Sequence, residues 1–296
     1  MSNLVLSAKQ QILSLVRDLF GTEAKEKCVY FNHVKRFPNL SEPSTWGEKL
    51  LWLNHHWQPE VKSQCADKYR VREFIKQQGL EDILIPQLGV WEDAKDIDFD
   101  TLPDRFVLKC NHGCAMNILV TDKAQLNKKE AVNQLNEWLK VDYGKMSGER
   151  HYSKIKPCVI AEAFLPVEKE TDVVDFKIHC FNGEPKFIGV CYDRDPVTHS
   201  SKGLIYSPTW DRMMILQGDD PTCSYPQPQR LPEMLEMAKK LSRDFPYVRV
   251  DLYAIKGEIF FGELTFSPDG NVPEREYTVE ASQMIGSWLD LSGLKS

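Results

Sequence analysis

The chain has 296 residues, 42% of them hydrophobic and 27% charged, with a formal net charge of −6. That length suits one large domain or two to three lobes with cores of their own. The acid excess, without a Lys/Arg cluster, argues against a nucleic-acid partner, because phosphate neutralisation dominates such affinities. The opening MSNLVLSAKQQILSLVRDLF has the apolar spacing of an amphipathic helix, so neither a signal peptide nor a transmembrane segment is read there or elsewhere. Eight cysteines, at 28, 65, 110, 114, 158, 180, 191 and 223, form no CxxC pair and no disulfide framework, which points to reduced thiols and a cytoplasmic location. Cys110 and Cys114 flank His112, but no second ligand cluster accompanies them to build a zinc site.

In chain order, helical patterns run over 4–20, 46–57 and 68–78, the third opening at Asp67 as N-cap. The strand-like runs ILIPQLGV, RFVLKC and NILVTD follow, then a helical pattern over 127–139. PCVIAEAFL, DVVDFKIHCF and PKFIGVCY read as further strands, with Asn182-Gly183 between the last two as the strongest hairpin signal in the chain. Residues 194–228 are rich in Pro, Ser, Asp and Gly, with GLIYS the one strand candidate, and read as a long functional loop or lid. A helix over 232–241, the strands YVRVDLYA and EIFFGELTF, and a helix over 279–291 close the chain. Helices mixed with mostly antiparallel strands indicate an α+β fold.

Chemistry concentrates on strands. In YVRVDLYA, Arg249, Asp251 and Tyr253 alternate with Val248, Val250 and Leu252, giving one charged and one apolar face. If Ile255, Lys256 and Gly257 form a three-residue turn, Glu263 joins the face of Asp251 and lies directly opposite Arg249. A two-residue turn would put the two carboxylates on opposite faces. Lys109 sits on an apolar strand running into a loop with the single glycine Gly113, and a lysine buried there needs an anion. Asp175, Lys177 and His179 share one face of a strand whose other face is Phe176, Ile178 and Cys180. CVIAEAFLP is an apolar strand interrupted by Glu162 and ended by Pro166, able to offer backbone groups to a planar base. Asp193 and Asp195 follow FIGVCY as a metal-binding acidic pair would in a metal-dependent glycosyltransferase, which is the competing function; a strand-end turn is the simpler explanation.

The order of these segments is more informative than any one of them. FPNLSEPSTWGEKLLWL, ADKYRVREF, LPDRFVLKCNHG, IAEAFL, DFKIHCFNGEPKF and VRVDLY followed by GELTFSP resemble the TupA-like ATP-grasp family, over about residues 30–285. The resemblance implies two α+β lobes that clamp ATP between antiparallel sheets, with a helical segment over 1–60, a catalytic domain over 61–296 and a smaller lobe over about 100–165. It implies an ATP-dependent carboxylate–amine ligase that works through an acyl-phosphate and joins an amino acid to a uronic-acid-containing surface polysaccharide or its precursor. By the same resemblance Lys109 and Lys177 contact the phosphates, and Glu162, Ala163 and Leu165 hold adenine through their backbone, with Asp175 in the nucleotide set. Asp251 and Glu263 bind Mg²⁺, and Arg249 and Lys177 carry the catalysis. Two departures stand out. Thr265 occupies the place where many relatives carry a metal-binding Asn, which weakens the case for a second metal. The one-glycine loop leaves His112 and Asn117 as phosphate or lid contacts.

Overall fold

The computed structural model of the chain describes residues 3–165, 167, 173–193 and 201–294. Pro166 and Asp195 lie outside them. Five helices precede the first strand: α1 (Asn3–Phe20), α2 (Thr22–Val34), α3 (Trp46–His56), α4 (Glu60–Ala66) and α5 (Val71–Gln77). α2 escapes sequence reading because what it buries is Glu26 and Tyr30. Glu26 is met by Asn54 Nδ2 at 2.7 Å and His55 Nε2 at 2.7 Å, a polar contact with no hydrophobic period. α3 opens with a reciprocal capping box, in which Thr45 Oγ1 accepts the Glu48 N–H and the Glu48 carboxylate accepts the Thr45 N–H. The helix expected over 68–78 begins three residues late, at Val71. The Asp67 carboxylate accepts N–H bonds from Tyr69 and Arg70, closing a turn that holds Lys68 outside the helix.

The strands form two antiparallel sheets, as the α+β reading requires. β1 (Gln87–Trp91), β2 (Phe106–Cys110), β3 (Asn117–Val120) and β4 (Val159–Ala163) make a four-stranded sheet in the order β1-β4-β2-β3. Helix α6 (Lys128–Leu139) covers it, burying Leu135 with Phe106, Leu108 and Ala161, and the short α7 (Tyr143–Ser147) follows. The five-stranded sheet runs β7-β6-β5-β8-β9, from β5 (Asp175–Phe181), β6 (Glu184–Tyr192), β7 (Lys202–Tyr206), β8 (Tyr247–Ile255) and β9 (Glu258–Thr265). Asn182 and Gly183, both left-handed at φ 48° and 81°, make the expected hairpin turn between β5 and β6. Residues 201–228 contain β7, on the strand candidate GLIYS, and an ion pair between Arg212 and Asp219 within the expected loop.

One face of the large sheet packs Ile178, Val250 and Leu252 against α8 (Leu231–Ser242) and α5. The other face changes character along its length. At one end Phe181, Phe187 and Tyr247 bury Trp46 of α3 with α9 (Val279–Trp288), the Trp46 ring lying 5.9 Å from that of Tyr247. At the other end the same face carries Asp175, Lys177, Arg249 and Asp251.

The β8–β9 hairpin corrects the expected register. Its turn has two residues, Lys256 and Gly257, left-handed at φ 51° and 82°, with Ile255 paired to Glu258. Such a turn should send Glu263 to the apolar face. It does not, because the register shifts between Asp251 and Leu252: Leu252 pairs Phe261 and Asp251 pairs Glu263, leaving Gly262 as an extra residue. Glu263 therefore stands directly opposite Asp251, and Arg249 stands opposite Thr265 rather than Glu263. A Cβ on Gly262 would come 3.0 Å from the Asp251 carbonyl oxygen and 3.3 Å from the Tyr253 ring. Gly262→Val is expected to destabilise the fold by about 1–3 kcal/mol, the range for overpacking, as measured by chemical denaturation. An unchanged midpoint would show that the bulge tolerates a side chain.

Candidate active site

A cavity of about 330 Å³ opens between the two sheets. The large sheet supplies Asp175, Lys177, Arg249, Asp251 and Glu263, and the small sheet supplies Lys109, Asn117 and Glu162. Leu84, Ile85, Val71 and Met116 give part of the wall an apolar lining. A slot with apolar sides and a polar end is what a purine nucleotide needs.

On the large sheet the charges form one bonded cluster. Arg249 grips Asp251 with two parallel bonds, Nε to Oδ1 and Nη2 to Oδ2, both 2.7 Å. Lys177 Nζ adds a third contact to Asp251 Oδ2 at 3.1 Å and lies 3.6 Å from Asp175. Burial acts to lower the Lys177 ammonium, but Asp251 and Asp175 together raise it above its usual value. Arg249 Nη2 also reaches Glu263 at 3.4 Å and the Thr265 hydroxyl at 3.1 Å. The Thr265 hydroxyl in turn donates to Glu263 Oε1 at 2.8 Å. Nη1 of Arg249 makes no bond among the described residues and remains available to a ligand oxygen.

Asp251 and Glu263 face each other across a strand pair, and the Glu263 side chain is 41% exposed to the cavity. No group of three or more His, Cys, Asp or Glu with metal-binding geometry occurs among the described residues. Two carboxylates fit one Mg²⁺ whose remaining ligands are phosphate oxygens and water. Thr265 is engaged at its hydroxyl by both Arg249 and Glu263, so its place is beside the carboxylate it orients.

The small sheet brings Lys109 Nζ to Glu162 Oε2 at 2.6 Å, and Arg72 Nη1 approaches the other oxygen at 3.5 Å. Asn117 pairs with Lys109 across β2–β3 and lines the cavity. Ala163 pairs with Phe106 and donates its N–H to the Pro86 carbonyl at 2.9 Å, and its side chain and that of Leu165 are not among the lining residues. His112 turns away: it is 2% exposed, with Nε2 3.1 Å from the Val141 carbonyl, and burial pulls it below the usual imidazole range. His179 is likewise buried, held neutral by burial and by Arg249 beside it, with Nδ1 2.9 Å from the Tyr247 hydroxyl. Asp193 is exposed, pairs with Lys202 at 2.7 Å and lines no part of this cavity.

Sequence reasoning missed Lys68 and Arg72, which line the cavity from the stretch between α4 and α5. Lys68 donates its N–H to the Asn111 carbonyl at 3.1 Å and its Nζ to the Gly113 carbonyl at 2.5 Å. Asp67 accepts from Asn111 Nδ2 at 2.9 Å, locking this stretch to the loop after β2. No helical spacing pairs Lys68 with Arg72, because the first stands in the Asp67 turn and the second in the first turn of α5.

Burial would raise the Glu263 carboxyl, but Lys68, then Arg249 and Lys177, outweigh it and hold it at about 2. Because this value lies below the ordinary 4.5, ionised Glu263 favours the folded chain above that pH, and its contribution fades as pH falls toward 2. Lys68→Met is expected to move the Glu263 midpoint upward, read by carbon NMR of the labelled carboxyl group. A midpoint unchanged by the substitution would remove Lys68 from the field that acts on Glu263.

The family model described as TupA-like ATPgrasp matches residues 48–289. No curated protein is similar enough in sequence to match. Among solved structures, the chain is similar to D-alanine–D-alanine ligase from Helicobacter pylori, with 16% identity, a TM-score of 0.46, and coverage of 83% of this chain and 70% of that one. It is similar also to L-amino acid ligase from Bacillus licheniformis, with 15% identity, a TM-score of 0.45, and coverage of 90% of this chain and 56% of that one. A third is D-alanine–D-alanine ligase from Bacillus anthracis complexed with ATP, at 14% identity, a TM-score of 0.43, and coverage of 75% of this chain and 60% of that one. With the family model spanning most of its length, the chain belongs to the TupA-like ATP-grasp family.

Proposed function

We propose that the chain is an ATP-dependent carboxylate–amine ligase, acting through an acyl-phosphate, that joins an amino acid to a uronic-acid-containing surface polysaccharide or its precursor. One observation carries the ATP-dependent part: Lys109 and Lys177, from separate sheets, line one cavity with the Arg249–Asp251–Glu263 cluster. Five cationic side chains, those of Lys68, Arg72, Lys109, Lys177 and Arg249, converge there. The uronic-acid end of the reading is supported by the family resemblance alone.

In this reading Lys68, Lys109 and Lys177 hold the phosphates, as compact charges do. Nucleotide entry would exchange Lys109 and Arg72 from Glu162 to phosphate oxygens. The base occupies the slot beside Leu84 and Ile85, next to Glu162, the residue of the 162–165 segment that lines the cavity. Asp251 and Glu263 would hold Mg²⁺, which would supply charge neutralisation at the phosphates when bound. A carboxylate attacks the γ-phosphoryl group, ADP leaves, and an amine displaces phosphate from the acyl-phosphate. Arg249, clamped through Nε and Nη2, offers Nη1 to the oxygen on which charge builds. Positioning and charge neutralisation account for the acceleration.

The direct test is release of phosphate from MgATP across pools of amino acids and uronic acids, with ADP as the expected nucleotide product. AMP and pyrophosphate, or turnover of a nucleotide sugar without ATP, would overturn the reading.

Asp251→Asn and Glu263→Gln should each abolish turnover with the parent's circular dichroism retained, Asp251→Asn also lowering the unfolding temperature because it leaves Arg249 and Lys177 without their buried anion, and near-parental activity at saturating Mg²⁺ would remove the metal assignment. Lys109→Ala and Lys177→Ala should each weaken ATP binding by about 1.5–3 kcal/mol, the range for bonds to charged groups, measured by calorimetric titration. Arg249→Lys should lose most of the rate with a smaller effect on ATP binding, since lysine cannot grip Asp251 at two points and still present a third donor.

A further inference from the structure

A second cavity, of about 630 Å³, lies on the other side of Lys177 and Arg249, which line both. Gly189 and Gly203 of β6 and β7 leave it open, and a Cβ on Gly189 would touch Lys177 Cβ at 3.5 Å. The rest of its wall includes Leu216 and Gln217 after β7 and Asp269, Arg275 and Glu276 after β9.

Most charge in this cavity is already committed. Lys177 and Arg249 are bound to Asp251, and His179 is neutral. Asp269, Arg275 and Glu276 are different: among the described residues none of their side chains makes a hydrogen bond or ion pair. Asp269 sits in a left-handed backbone at φ 52°, followed by Gly270 at 63° and Asn271 at 66°, a strained run for non-glycine residues. Burial, and then Glu276, raises its carboxyl to about 6, which leaves it ionised at neutral pH. Asp269 is half-buried with Arg249, Arg275 and Lys177 near enough to act on it, and Arg275 and Glu276 are exposed, so its carboxylate is open to a cation that bonds it directly. A substrate bearing only a carboxylate would face Asp269 and Glu276 with Arg275 as its one uncommitted partner.

We propose that this second cavity takes the amine substrate as an α-amino acid, its ammonium on Asp269 and its carboxylate on Arg275, with the nitrogen presented toward the shared wall of Lys177 and Arg249. The assignment rests on the ligase reading and names which substrate enters from this side. The ammonium gives one proton to Asp269. The amine nitrogen then bonds to the acyl carbon as the carbon–oxygen bond to phosphate breaks, and the electron pair and the second proton leave with phosphate.

Hydroxylamine separates the two questions. It is small and uncharged at neutral pH, and it traps an acyl-phosphate as a hydroxamate without an ammonium or carboxylate anchor. With MgATP and a pool of uronic acids, hydroxamate formation is compared with ADP formation on the twenty standard amino acids. In Asp269→Asn and Arg275→Ala the KM for the amino acid is expected to rise at least tenfold, with the KM for ATP within twofold, so that the ratio of amino-acid coupling to hydroxamate trapping falls. An amino-acid KM unchanged in both variants overturns the assignment. Parallel loss of hydroxamate and amide, with the circular dichroism of the parent retained, gives the cavity to the acid substrate and overturns it too. A parent protein that forms neither hydroxamate nor ADP sinks the ligase reading itself, before any variant is made.

Discussion

Both carboxylates of the candidate site face one cavity because β9 carries one residue too many. The turn at Lys256 and Gly257 sets a register in which Glu263 would pair with Val250 and point into the core beneath the sheet. Gly262, unpaired between Phe261 and Glu263, shifts that register by one. Ile259 and Phe261 stay in the core, Glu263 swings to the charged face, and Leu264 returns to the core. The bulged position has to be small, since the Asp251 carbonyl and the Tyr253 ring close over it. The bonds that Glu263 and Thr265 make with Arg249 and with each other follow from this local slip, whereas the Arg249 grip on Asp251 lies within β8 itself.

The same sheet face is a platform with two chemistries. Its charged half borders directly on an aromatic half that buries Trp46, whose ring lies 5.5 Å from that of His179. α3 is anchored there by Glu48, which is 1% exposed; burial would raise its carboxyl, but Arg36 and the N–H groups of Asn39, Thr45 and Ser44 hold it at about 2. The charged strands are therefore backed by tightly packed rings and helices on both sides. Ion pairs with restricted solvent access add little net stability. What the Arg249–Asp251–Lys177 cluster supplies is fixed position, which is what charge stabilisation during a reaction requires.

The opposing wall is built differently. Lys109 and Arg72 rest on Glu162, so two cations share one anion that a polyphosphate could replace. Lys68 rests on a single carbonyl. The Asp67–Asn111 bond and the Lys68 N–H to Asn111 tie the α4–α5 junction to the loop after β2, so these cations move with the small sheet's loop.

Much of this was legible in the chain. The alternation of Val248, Val250 and Leu252 with Arg249 and Asp251, and of Phe176 and Ile178 with Asp175 and Lys177, states which face each side chain takes, because a strand has a period of two. The order of these segments identified the family. Three things were not legible. Glu26 and Tyr30 of α2 are buried by partners far along the chain, such as Asn54, so no hydrophobic period marked the helix. Lys68 and Arg72 become site residues only when Asp67 closes a turn against Asn111 of another element. The Gly262 bulge cancels a turn that alone would have misdirected Glu263, and the expected three-residue turn reached the right face by the wrong geometry. Local sequence determined the facing of each strand through backbone stereochemistry; the tertiary structure decided register and convergence, because those depend on packing between residues distant in the chain.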